Sequence, residues 1–257
     1  MRWIEAHTIR QVQRCLSANV PIVGGGSWLL SDGSVPEAVC DLREYPWAQG
    51  ITGNESGWMI GPDVTLSQWL QALDSENVIA EVIRKMGTPI FRRVATVIGA
   101  VANPQPVADL YPVMRLLGAD IFYIDLHHDS IQHEKLMWPF RANPRALVGL
   151  WVPASTPYRF IAFRKYTKGR LTRVLLNLGT GLAQQGDIMT ADFVIGGLSQ
   201  WPYEDRVAGA SHSISHQISQ RLRNQGNITP FYQALIMEMC DDVLNQWEHR
   251  ADRRSEL

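Results

Sequence analysis

The chain has 257 residues, of which 46% are hydrophobic and 19% charged, with a formal net charge of −1. That length can bury a real core in one large domain or two smaller ones. The near-neutral balance gives no electrostatic case for nucleic acid or an anionic membrane surface, and no stretch reaches the ~18 apolar residues of a membrane span.

In chain order, residues 4–18 read as a helix, with Ile4, Val12 and Leu16 on one stripe and Asn19 as its stop. A short strand, Ile22–Val23, then runs into Gly24-Gly25-Gly26-Ser27. Ser31-Asp32-Gly33-Ser34 is turn chemistry, and residues 38–42 form a second strand. After a turn-rich boundary at residues 50–56, residues 58–60 are a strand. Thr65 and Gln68 have the capping-box spacing for a helix to about Leu73. Another helix spans about 76–85. Residues 90–106 carry few helix signals and are flanked or broken by Pro89, Pro104 and Pro106. Helical spacing returns over 107–117, with Gly118 at the C′ position. Residues 121–124 and 147–152 are strands, and Pro153 to Pro157 is a hinge. Beyond it come strands at 158–166, 174–178 and 192–198, then helices near 213–223 and 230–247. The expected class is α+β, a mixed α/β chain divided at residues 1–55, 56–153 and 154–257.

The glycine stretch has two readings. Glycine has no Cβ to hold a ligand off the backbone, so Gly24 to Ser27 can present successive N–H groups to an anion such as a phosphate. Equally, it can be a tight turn between core strands. It matches neither G-x-G-x-x-G nor the P-loop. A second small-residue stretch runs from Arg92 to Asn103 and includes Thr96-Val97-Ile98-Gly99-Ala100. Two such loops about 70 residues apart suit a long, bent ligand carrying a diphosphate; a packed strand and turn is the alternative.

Metal chemistry has little support. His212 and His216 stand at i, i+4 but among serines, and His127-His128-Asp129 reads as a polar loop. Cys15, Cys40 and Cys240 lie far apart without a C-x-x-C, so this chain cannot build a cysteine-only iron–sulfur or zinc site. Such isolated thiols, and an N-terminus without a signal-type apolar core, lead us to expect a cytoplasmic protein.

Several pieces together resemble one family. Gly24-Gly25-Gly26-Ser27 after a strand resembles the Ala-Gly-Gly-(Thr/His) loop of the FAD-binding subunit of molybdenum hydroxylases, the group of the carbon monoxide dehydrogenase medium chain and the xanthine dehydrogenase flavin domain. Ile60-Gly61-Pro62-Asp63-Val64-Thr65-Leu66 is similar to its Ile-Gly-Ala-x-Val-Thr-Leu segment. Arg92 to Asn103 is similar to its Arg-Asn-Val-Ala-Thr-Ile-Gly-Gly-Asn-Leu-Ala-Asn loop. Pro106 to Pro112 and Ala162-Phe163-Arg164-Lys165 match further segments in the same order.

The resemblance implies two small α/β subdomains of the PCMH-type flavin fold clasping FAD, followed by an α/β C-terminal domain. It implies a flavin electron-transfer subunit working with a molybdopterin-binding large subunit and an iron–sulfur small subunit, and passing electrons to NAD, oxygen or another acceptor. Carried over by position, Gly24, Gly25, Gly26, Ser27 and Trp28, with Thr96, Val97, Ile98, Gly99 and Ala100, would line the diphosphate and flavin. Asp109 would bond the ribityl or nearby hydroxyls, Leu147 would pack on the ring system, and Lys165 would lie near the isoalloxazine. The chain departs from the family at Trp28, Ile98 and Ala100, where the relatives carry small or polar residues. A subunit that keeps the fold but has lost FAD therefore stays open as an alternative. So does a flavoenzyme like UDP-N-acetylenolpyruvylglucosamine reductase, whose first loop resembles Gly24 to Leu30.

Overall fold

The computed structural model describes residues 1–27, 29, 35–47, 49–102, 105, 107–137, 144–168, 174–210, 213–225 and 228–255. Trp28, the Ser31 to Ser34 turn, the end of the second small-residue loop and His212 lie outside the described residues.

The first sheet is parallel. Strand β1 (Arg2–Glu5) leads through helix α1 (Ile9–Ser17) to β2 (Ile22–Val23), and β3 (Ala38–Asp41) slots between them in the order β1-β3-β2. The helix starts later than the apolar stripe suggests. Thr8 and Gln11 form a complete capping box, which fixes the first turn there, and Ile4 belongs to a strand instead. Asn19 ends the helix at φ +54, a left-handed conformation that asparagine tolerates. Val12, Cys15 and Leu16 form the buried face.

The second sheet is antiparallel, in the order β4-β5-β8-β6-β7. Its strands are β4 (Ile51–Asn54), β5 (Gly57–Ile60), β6 (Asp120–Ile124), β7 (Gln132–Lys135) and β8 (Ala146–Pro153). The β4–β5 hairpin straddles residue 55, where the first boundary was expected. Between β5 and β6 run five helices: α2 (Leu66–Ala72), α3 (Val78–Lys85), α4 (Pro89–Val94), α5 (Val97–Val101) and α6 (Leu110–Leu116).

Helices α4 and α5 occupy a stretch whose prolines suggested a break. The reason is position. Pro89 sits in the first turn of α4, where its missing N–H costs nothing, with Thr88 as N-cap. Thr96 caps α5 by accepting from Gly99 N–H at 3.2 Å. Gly118, at φ +71, closes α6 in a Schellman turn: its N–H donates to Arg115 C=O, and Ala119 N–H to Met114 C=O.

Strand β8 is buried on both faces. Ala146 and Val148 pack into the core of the first sheet, while Leu147, Leu150 and Val152 join the core under the helices. A register shift opposite Phe122 and Tyr123 lets the strand serve both.

The third sheet is a meander in the order β12-β11-β10-β9. It comprises β9 (Phe160–Thr167), β10 (Val174–Gln185), β11 (Ile188–Gly196) and β12 (Tyr203–Gly209), followed by α7 (Ile214–Asn224) and α8 (Pro230–Ser255). The pattern suggested three strands, but β10 and β11 pair over nine positions as one long hairpin, and β12 adds a fourth. One face packs on α7 and α8. The other meets α6, where Gly179 lies so close that a Cβ would stand 2.8 Å from Pro112. The result is a mixed α/β fold with three sheets.

Candidate functional site

The two small-residue loops meet. The glycine loop leaves β2 and runs directly over the junction of α4 and α5. A Cβ at Gly24 would land on Thr96 Oγ1, and one at Gly25 on the Val94 carbonyl oxygen. Glycine is therefore required here for chain-to-chain approach. Gly26 follows at φ +67, where an L side chain is strained. The α4–α5 junction is itself anchored. Leu66 N–H donates to Ala95 C=O and Val97 N–H to Val64 C=O, both at 2.9 Å, and Thr65 bridges Thr96.

Beside this meeting point lies a cavity of about 480 Å³. Its wall takes Gly24, Thr96, Ile98, Gly99 and Leu147 from the residues expected at the site. The others are placed differently. Gly25, Gly26 and Ser27 continue the loop beyond the wall. Val97 is fully buried in the core, and Ala100 is half-buried on α5.

Asp109 and Lys165 are not in the wall either. Lys165 Nζ forms a 2.8 Å ion pair with Asp109 Oδ2 and also donates to the Lys85 carbonyl, tying β9 to α6 and to the end of α3. Burial pushes the Asp109 carboxyl above its ordinary value, and the neighbouring Lys165 ammonium pulls it part of the way back. Asp109 Oδ1 is buried with no hydrogen-bond partner among the described residues.

The rest of the wall was not foreseen. It includes Leu16, Val20 and Leu42 from the first unit, Pro62 from the turn before α2, and Arg145. Arg145 could have been found: it stands two residues before Leu147, and in an extended chain such residues share a side. Among the described wall residues Arg145 carries the one formal charge. Among these described residues there is no carboxylate, the body is apolar, and one side is a loop that only glycine can form. These residues fit a ligand with an apolar body and an anionic group, as FAD has. His128, by contrast, bonds Asp125 in the β6–β7 loop at 2.9 Å.

A family model described as the FAD binding domain in molybdopterin dehydrogenase matches residues 1–135. No curated protein matches. Among solved structures the chain is similar to a carbon monoxide dehydrogenase from Hydrogenophaga pseudoflava lacking the Mo-pyranopterin moiety of its molybdenum cofactor. There the TM-score is 0.78 at 14% identity, over 95% of this chain and 96% of that one. It is also similar to quinoline 2-oxidoreductase from Pseudomonas putida 86, with a TM-score of 0.65 at 17% identity over 79% and 76%. Reconstituted CO dehydrogenase from Oligotropha carboxidovorans gives 0.66 at 17% over 85% and 79%. At these identities the likeness is one of fold. The family match spans more than half of the chain, and it is the first of the two flavin families that the sequence resembles. The chain belongs to the family of FAD-binding domains of molybdopterin dehydrogenases, a family of oxidoreductases whose cofactor is FAD.

Proposed function

We propose that this chain is the FAD-carrying electron-transfer subunit of a molybdopterin and iron–sulfur hydroxylase or dehydrogenase. In this reading a large subunit holds the molybdopterin and a small subunit holds the clusters. FAD, when bound, supplies the step from one-electron relays to a two-electron acceptor such as NAD or oxygen. The observation that carries the reading is the contact of the glycine loop with the α4–α5 junction beside an apolar cavity. Support also comes from the similar Hydrogenophaga pseudoflava carbon monoxide dehydrogenase, an enzyme of the molybdenum cofactor. The three cysteines are all unpaired and buried, in keeping with work in the cytoplasm and with clusters held by a partner.

Within the chain, Gly24, Thr96 and Gly99 hold the phosphate-bearing part, with Ile98 and Leu147 against the apolar part. The Asp109–Lys165 pair locks the third sheet to the second unit. The three units then divide near residue 50, because β4 pairs with β5, and at the end of β8. Purification alone and with neighbouring subunits, followed by a visible spectrum and cofactor extraction, tests the reading. A flavin spectrum with FAD released on denaturation is expected; a folded complex without flavin overturns it.

Ile98 favours a second reading, in which the fold is kept and FAD is lost. Ile98 lines the cavity at a position where the resembled family has glycine, although it is only 5% exposed and packs into the core. Titration of the apo-protein with FAD separates the two, since saturable micromolar binding excludes this second reading.

A further inference from the structure

Arg145 brings a positive charge to a cavity wall that has no other charged side chain among its described residues. The guanidinium is braced. Its Nη1 donates to Glu134 Oε1 at 2.5 Å, and its Cζ stands 4.3 Å from the centre of the Tyr123 ring. The Tyr123 hydroxyl donates to the other oxygen of the same carboxylate at 3.4 Å. Arg145 is 17% exposed, and its Nε is buried without a partner. Glu134 therefore accounts for one donor of five, and the Tyr123 ring holds the plane in place.

We propose that Arg145 selects a phosphorylated flavin, its guanidinium supplying the positive charge that the cofactor's diphosphate requires. This rests on the FAD reading above. Among its described residues the glycine loop offers N–H donors, which carry no full positive charge to set against a doubly charged anion. A cavity of about 480 Å³ is on the order of 10 Å across, roughly one Debye length at physiological salt. A diphosphate bound on the Arg145 side of it thus lies within the reach of that charge, and beside an apolar wall it is screened less than in bulk water. The brace reduces the entropy lost on binding, because the guanidinium is already held. Glu134 opposes the effect, since it neutralises part of the charge.

The two partners consequently act with opposite sign. The test is titration of the purified chain, stripped of flavin, with FAD and with riboflavin, which lacks phosphate, following flavin fluorescence at several salt concentrations. Arg145→Met should weaken FAD by roughly ten- to a hundredfold, the range for a charge-assisted contact, and leave riboflavin unchanged. Its salt dependence should flatten. Arg145→Lys should retain most of the affinity, and Glu134→Gln should bind FAD as well as the parent or more tightly. If Arg145→Met does not fold, the lysine and Glu134→Gln variants carry the test.

Equal FAD affinity in the parent and in Arg145→Met overturns the proposal and leaves the FAD reading standing. So does equal weakening by Arg145→Met and Glu134→Gln with matching losses of thermal stability, because that marks a purely structural pair. Failure of the parent itself to bind FAD overturns the FAD reading, and the proposal with it.

Discussion

Lys165 and Asp109, 56 residues apart, form a buried ion pair at 2.8 Å that joins β9 to the start of α6. The ammonium also holds the Lys85 carbonyl, so three elements meet on one nitrogen. Removing the cation leaves a buried carboxylate whose second oxygen already lacks a partner. Lys165→Met should therefore cost about 3–5 kcal/mol at neutral pH. The sign of its pH dependence follows from Asp109. Its folded carboxyl lies above the ordinary value, so the native state binds more protons than the unfolded one across that window. Stability then falls as pH rises from the ordinary carboxylate range to the raised value, and it recovers on acidification. Without Lys165 the carboxyl rises further and the window widens. Urea denaturation between pH 5 and 8, with the Asp109→Asn/Lys165→Met double variant regaining most of the loss, checks this; a Lys165→Met midpoint equal to the parent's would count against it.

Gly25 tests what the glycines are for. A Cβ there meets backbone, the Val94 carbonyl, which cannot swing aside as a side chain can. Gly25→Ala should lower the stability of the cofactor-free protein by about 1–3 kcal/mol. A valine at this position disrupts the loop contact before it reaches any phosphate. Calorimetry on apo-protein isolates the effect, and an unchanged melting temperature would show that the two loops do not press together.

Much of the site was legible because its chemistry is local. Thr65 and Gln68 declare a helix start by spacing alone, and the glycines declare a close approach. The same local grammar is present at Thr88-Pro89 and at Thr96 with Gly99, but prolines 89, 104 and 106 nearby read as helix breakers and mask it. Other features depend on distant partners. Arg2–Glu5 is mostly exposed, and only pairing with Ala38–Asp41 makes it a strand. The polar strand Tyr203–Gly209 likewise exists through β11. No spacing announces that Lys165 will turn to Asp109.

Thr96 links helix capping to the cavity. Its hydroxyl accepts from Gly99 N–H, and it is 2% exposed. Thr96→Val keeps the shape and deletes the cap, so the fold should lose about 1 kcal/mol, in the range of lost N-caps. FAD affinity should fall as well, because both residues line the cavity. Unfolding and flavin titration on the same variant read the two effects separately, and a variant with the parent's stability would remove Thr96 from the capping role.

The thiols should be inert in the native protein. Cys15, Cys40 and Cys240 are 4%, 0% and 2% exposed. Burial pushes the Cys240 thiol up to about 12, and burial with the adjacent Cys15 also raises Cys40. The reactive thiolate is then scarce at neutral pH. A thiol-reactive chromophore should label none of the three until denaturant is added, at the same midpoint as the loss of structure. Rapid labelling in buffer would contradict the packing.

Strand β8 has a consequence for how the chain is made. Its Ala146 and Val148 complete the core beneath β1, β2 and β3, yet they leave the ribosome more than a hundred residues after those strands. Throughout that interval the first sheet waits with an unfilled apolar face, exposed to wrong pairings and to chaperones. A chain cut at residue 135, where the family match ends, would keep every glycine of the first loop and still lack the strand that closes its own core. The glycine loop is thus encoded early, and the core beneath its sheet is completed late, only after the middle of the polypeptide has been delivered.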